Sequence, residues 1–301
     1  MSKTLLITGA TGKQGGAVIK ALAGSGFEIL ALTRNPSSPS AQKLSQRSSN
    51  VKLLQGDLDN PTAIFHNSQE VTSNPIWGVF SVQVNVVGSG GKTEEQQGKA
   101  LIDAALAANV KFFIYTSVDR GGPRSSSNPT PVPHFAAKHN IEKHLEQKAA
   151  NSSMQFTVLR PTSFMDGLVN DFQGQVMVSM WKTAMRDKPM QLIATCDIGW
   201  FAAQAFKCPN EFAGRYLSLA GAELTFDQAN EIFKRRFGRD MPSTYGILAS
   251  ILLWIVKEAG ETFKWLSEDG YGADIEELKR MYPDLMDFRI WLEKESNFKA
   301  G

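Results

Sequence analysis

Residues 4–15 read TLLITGATGKQG: a short apolar run that stops at Gly9 and continues as Gly9-x-x-Gly12-x-x-Gly15 into a segment of helical periodicity. An apolar run, spaced glycines and a helix together describe a strand-turn-helix unit. Glycine permits the tight turn and the close approach of backbone, and the first N–H groups of the helix lack intrahelical acceptors, so an anion is drawn there. A glycine trio alone is common. With the strand before it and the helix after it, the reading is a pyrophosphate cradle, hence a dinucleotide site, weighed against a purely structural turn.

Working outward, similar apolar runs recur at Lys3 to Thr8, Glu28 to Thr33, Val51 to Gln55, Gly78 to Val82, Phe112 to Thr116 and Phe156 to Leu159. Helical periodicity lies between them over Gln14 to Ala23 and Glu94 to Asn109. Alternation of this kind predicts an α/β fold, a doubly wound parallel sheet over residues 1–160. Beyond 160 helices dominate, which predicts a smaller, mostly helical C-terminal lobe over 161–301 with short strands near Gln191 and Tyr216, able to return to the sheet. Asp197 is expected to cap a helix through Phe206, and Thr225 with Gln228 forms a capping-box pattern. Further helices are expected over 246–256, 274–281 and 284–295. NPSSPS at 35–40 and the Gly/Ser/Pro-rich stretch 119–133 read as loops, the second on the substrate side.

The composition is that of a soluble globular protein, 42% hydrophobic and 21% charged, and the formal net charge of +2 gives no field that would draw the chain to nucleic acid or an acidic membrane. Cys196 and Cys208 are too few for a disulfide framework, so a reducing compartment is expected. The first residues lack the apolar core of a signal peptide, and the most apolar later stretch, 245–256, is too short to span a bilayer. The expected location is cytoplasmic, with the nucleus as a further one.

Cofactor identity is read from the strand ends. An acidic residue after the second strand would accept from the 2′-hydroxyl of NAD, but the sequence has LTRNP there. Arg34 suits a 2′-phosphate instead, which favours NADP(H) over NAD(H); the alternative is a solvated arginine. In GDLDN after the third strand, Asp57 can accept from the adenine amino group with Leu58 beside the ring, or Asp57 can cap a helix. Gln83, at the end of the fourth strand, is expected near the middle of the cofactor.

Taken in order, TGATGKQG, TRNP, GDLDN, HFAAK and LRPTSF, followed by DIGWFAAQAF, AGRYLSLAGAELTF and DGYGADIEELKRMYPDLMDFRIWLEK, resemble the NmrA-like family, an atypical branch of the short-chain dehydrogenases. The resemblance implies a Rossmann NAD(P)-binding domain with a small helical lobe. It assigns Gly9, Thr11, Gly12, Lys13, Gln14 and Gly15 to the phosphate loop, Arg34 to the 2′-phosphate and Phe164 to the nicotinamide end. It also implies two kinds of function: NADPH-dependent reductases of small molecules, and redox sensors that bind the dinucleotide without turnover and regulate a protein partner such as a GATA-type transcription factor.

HFAAK, residues 134–138, bears on that choice. Typical short-chain dehydrogenases use Tyr-x-x-x-Lys, in which tyrosine is the acid and lysine holds the ribose. Here Lys138 remains and His134 stands in the tyrosine position. Three roles compete: Lys138 only fastens the ribose with His134 a loop residue, Lys138 or His134 acts as acid or base in a reductase, or the two are a surface pair on a solvated helix. Ser117, after the fifth strand, is the other hydroxyl a dehydrogenase would use, against an ordinary turn serine. His134, His139 and His144 recur every five residues and scatter around a helix, so no metal site is predicted. A sensor would expose apolar residues among 246–256 with Phe263, Trp265 and Leu266; an enzyme would fold them over the cleft, and core packing is the plain alternative. The substrate or protein partner is left open.

Overall fold

The computed structural model describes residues 2–84, 92–244 and 246–299. Strands and helices alternate first: Thr4–Ile7 (β1), Lys13–Ala21 (α1), Glu28–Thr33 (β2), Pro39–Arg47 (α2), Val51–Gln55 (β3), Pro61–Val71 (α3), Ile76–Ser81 (β4), Lys92–Ala107 (α4), Phe112–Thr116 (β5), Pro133–Ala150 (α5) and Gln155–Pro161 (β6). There follow Ser163–Phe164 (β7), Phe172–Met185 (α6), Met190–Ile193 (β8), Thr195–Lys207 (α7), the turn Pro209–Phe212 (α8), Tyr216–Leu219 (β9) and Ala222–Leu224 (β10). Helices Phe226–Phe237 (α9), Gly246–Ile255 (α10), Lys257–Glu268 (α11), Ile275–Met281 (α12) and Phe288–Lys294 (α13) complete the chain.

A seven-stranded sheet has the order β3-β2-β1-β4-β5-β6-β9, with parallel pairing from β3 through β6. The order reverses between β1 and β4, the switch point at which open α/β sheets bind ligands beyond the strand ends. There Thr8 Oγ1 donates to the Val82 carbonyl at 3.0 Å and accepts from the Val82 N–H at 2.8 Å, fixing the ends of β1 and β4 beside one another. β1 (TLLI) and β5 (FFIYT) are buried throughout, as parallel strands covered on both faces must be. A smaller sheet has the order β10-β8-β7.

Two compact units result. The first comprises Met1–Ser117, Ala137–Arg160 and Cys196–Leu217, the second Val118–Ala136, Pro161–Thr195 and Ser218–Gly301. The chain passes between them repeatedly, so the stretches 1–160 and 161–301 each draw on both units.

Several expectations change at the helix starts. The cap after β3 is Asn60, which accepts from the Ala63 N–H; Asp57 instead accepts from the Asp59 N–H in a tight turn. α7 starts at Thr195, two residues before Asp197, because the Asp166 carboxylate accepts from Thr195 N–H and Oγ1 at 2.8 and 2.7 Å. The last helix starts at Phe288 with Asp287 as cap, leaving Asp284 outside it. The Thr225–Gln228 capping box forms as expected. Ser38–Pro39 and Asn60–Pro61 open α2 and α3, which the sequence reading had not assigned, and α6 and α11 were also missed.

Candidate functional site

The glycine loop follows β1 and ends as the start of α1. Gly9 has φ +56°, and a Cβ there would lie 2.5 Å from Val82 Cγ1. A Cβ at Gly15 would lie 2.4 Å from the Gly9 carbonyl and 2.7 Å from that of Thr8, both rigid backbone. Glycine is therefore required at both positions. The loop is tied by Gly12 N–H to the Gly9 carbonyl at 2.9 Å, and α1 has no side chain capping its first N–H groups. Thr11, Gly12 and Lys13 are exposed beside that open end. Gln14 is fixed from the far side, its Oε1 accepting from Thr116 Oγ1 at 2.7 Å. The cradle that a Cβ would fill, and the uncapped helix end, fit a pyrophosphate.

Arg34, just past β2, is exposed and makes no side-chain ion pair among the described residues. Asp57 is exposed, whereas Leu58 is half-buried against the core of the first unit. Gln83 is buried and donates to Ser81 Oγ at 2.9 Å, while its Oε1 has no hydrogen-bond partner among the described residues. A buried acceptor left unpaired is costly, and a ligand N–H or O–H would relieve it.

Lys138, on α5, ion-pairs with Glu94 of α4 at 2.5 Å. The sequence reading did not single out Glu94. Its carboxylate is wholly buried and its Oε2 has no partner among the described residues. An ammonium has three donors, so this pair leaves Lys138 able to reach further acceptors. Ser117 is occupied differently: its buried hydroxyl donates to Glu142, which also holds Arg160 at 2.6 Å in a buried ion pair. Its position is therefore that of a structural hydroxyl within the first unit.

In the second unit, His134 Nδ1 lies 2.8 Å from Glu258 Oε1, so it is not a solvated surface residue. The 119–133 stretch is less irregular than expected. Asp119 and Arg120 are wholly buried, and residues 122–126 form a 3-10 turn. The Arg120 guanidinium donates to the carbonyls of Val118, Ser125 and Asn128. Asp119 accepts from the N–H groups of Gly121, Gly122 and, across the fold of this unit, Gly272. Gly122 has φ +61°, and a Cβ there would meet the Gly272 carbonyl at 2.0 Å. The loop is thus clamped to the turn that carries Tyr271.

Phe164 lines a cavity of about 300 Å³ in the second unit, with Ser163, Leu168, Met177, Trp181 and Phe263 also in its wall. Tyr271 reaches Ser163, oxygen to oxygen, at 3.3 Å. Burial raises the Tyr271 phenol above its ordinary pKa, the bond with Ser163 opposes this, and the charge of Asp119 adds to it, so the hydroxyl stays protonated. Phe263, Trp265 and Leu266 are buried, unlike the exposed patch considered for a sensor; Ile251, Trp254 and Ile255 of α10 are the exposed ones. Tyr245 of that run lies outside the described residues. Among the described residues no group of His, Cys, Asp or Glu could hold a metal, no helix is long and apolar enough to cross a membrane, and Cys196 and Cys208 form no disulfide.

The sequence model of the NmrA-like family matches residues 1–290. The chain belongs to the NmrA-like family. One relative is the NmrA-like family domain-containing oxidoreductase ptmS of Penicillium ochrochloron, 32% identical over 158 residues, which are 49% of this chain and 44% of the relative. The chain thus spans less than half the length of that relative. The fold matches Citrobacter sp. triphenylmethane reductase complexed with NADP(H), with TM-score 0.74 and 16% identity over 97% of this chain and 99% of the other. It also matches NmrA, a negative transcriptional regulator in complex with NAD, with TM-score 0.69 and 19% identity over 98% and 95%. This Rossmann-type fold therefore occurs in both a reductase and a regulator.

Proposed function

We propose that this NmrA-like chain binds NADP(H) in preference to NAD(H) and acts as an NADPH-dependent oxidoreductase on a small molecule. The observation that carries the reading is the glycine cradle, Gly9, Gly12 and Gly15 against the uncapped start of α1, with the unpaired Arg34 just past β2. Thr11, Lys13 and Gln14 flank the pyrophosphate, Asp57 and Leu58 border the adenine, and Gln83 offers its unpaired Oε1 to a donor of the cofactor. Arg34 would bind the 2′-phosphate by charge-assisted hydrogen bonds of about 1.5–3 kcal/mol, roughly a ten- to hundredfold preference.

When bound, the reduced nicotinamide supplies a hydride. Lys138, steadied by Glu94, directs its remaining donors to the ribose hydroxyls, and Phe164 borders the nicotinamide end. His134 and Lys138 are the groups to which this reading gives proton transfer, in place of the missing tyrosine. Titrating NADPH and NADH into the protein and Arg34→Ala tests the cofactor: the affinity ratio is expected to fall ten- to hundredfold, and an unchanged ratio removes the preference. Loss of NADPH absorbance with aldehydes, enones and quinones, with Lys138→Met as control, tests turnover.

One observation favours a second reading, a redox sensor with a protein partner such as a GATA-type factor. Ile251, Trp254 and Ile255 lie at helical spacing on α10 and are exposed. NADPH binding without turnover on any of these substrates would favour it.

A further inference from the structure

The cavity of the second unit has a distinctive chemistry. Among the described residues no lining residue is charged, and most are apolar or aromatic. Its polar side chains are accounted for one by one. Thr162 Oγ1 donates to the Leu219 carbonyl at 3.0 Å and is thereby used. Ser163 shares a 3.3 Å contact with the protonated Tyr271 hydroxyl, so one of the two hydroxyls can donate to the other while the second proton stays available. Trp181 is wholly buried, packs edge-on against Phe226, and its Nε1–H has no hydrogen-bond partner among the described residues. An indole N–H can only donate. Among the described residues the wall therefore offers the Ser163 hydroxyl as a donor and holds no carboxylate. A cation would find no countercharge there, and an anion would find no basic side chain.

We propose that this cavity binds a small, uncharged, largely aromatic molecule bearing an accepting oxygen, which takes a hydrogen bond from Ser163, with Tyr271 as the residue that positions that hydroxyl. At about 300 Å³ the cavity is at the small end of ligand sites, suited to a one- or two-ring compound. Tyr271 is held for the task by Trp265, in edge contact at 5.7 Å, and by the neighbouring Gly272 N–H on Asp119. The assignment is of the cavity alone; that its ligand is the hydride acceptor rests on the dinucleotide reading.

Acetylnaphthalene and ethylnaphthalene have nearly the same shape, and only the first carries an acceptor. Calorimetric titration of the whole chain is expected to show the ketone bound roughly five- to tenfold tighter, the worth of one hydrogen bond. Ser163→Ala is expected to bring the two affinities together, and Tyr271→Phe to narrow the gap. Gly167 also lines the cavity, and a Cβ there meets nothing within 4 Å, so Gly167→Phe should fold, as its melting curve will report, and exclude both probes. A ketone preference that survives Ser163→Ala, probes that still bind Gly167→Phe, or a wild-type protein that binds neither would overturn the proposal. NADPH titrated into the same samples separates the two ideas: failure there with the ketone preference intact sinks only the dinucleotide reading.

Discussion

At Gly15 the requirement for glycine is purely steric. Replacing it by alanine puts a methyl group 2.4 Å from a backbone oxygen that cannot turn away. Gly15→Ala is expected to cost about 1–3 kcal/mol in urea unfolding and to abolish NADPH binding; wild-type affinity would refute the cradle. Glu94→Gln is a gentler change: it leaves Lys138 an acceptor but no countercharge, with an expected loss of about 1.5–3 kcal/mol by the same measurement. The two residues differ in how legible they were. The constraint on Gly15 comes from its own chain neighbours, so the glycine spacing between a strand and a helix announced it. Glu94 meets Lys138 across 44 residues of sequence, and nothing local to either marks the pairing. His134 and Glu258 were hidden for the same reason.

Among the elements, those with local caps were readable and those with borrowed ones were not. Thr225 and Gln228 satisfy each other within one turn, and Thr225→Ala should lower stability by about 1 kcal/mol in a thermal melt. α7 takes its first bond from Asp166, 29 residues away, which is why Asp197 drew attention to the wrong start. Pro39, first in α2, falls in the stretch read as loop, and Pro61, first in α3, received no assignment, although proline there pre-organises a helix. Glu28 joins elements by charge. At the head of β2 it takes Lys52 of β3, Thr4 of β1, and Thr72 and Asn74 beyond α3. Burial pushes its carboxyl up, but these four partners together outweigh that and hold it down at about 2. A depressed carboxylate stabilises the fold above the ordinary carboxylate range and loses that contribution as pH falls towards 2. Acid titration of unfolding free energy should therefore show a slope in that window that is reduced in Glu28→Gln.

For the whole molecule, the strand candidates gave the sheet because buried parallel strands read as apolar runs, while the grouping of the chain into units rests on long-range contacts. Within the first unit, Gly199 of α7 lies against Ala17, Phe206 packs on Phe112, and the Arg215 carbonyl accepts from the Val158 N–H of β6 at 2.9 Å. A fragment ending at 160 lacks all three and is expected to give no cooperative melt by circular dichroism, whereas one ending at 220 recovers them; equal melts would refute this. The surroundings of the tryptophans have an optical consequence. Trp254 is 84% exposed, while Trp181, Trp265 and Trp291 are sealed. Acrylamide should quench a red-shifted emission component that Trp254→Phe removes, leaving a blue component in which Trp181 reports the filling of its cavity without any attached dye.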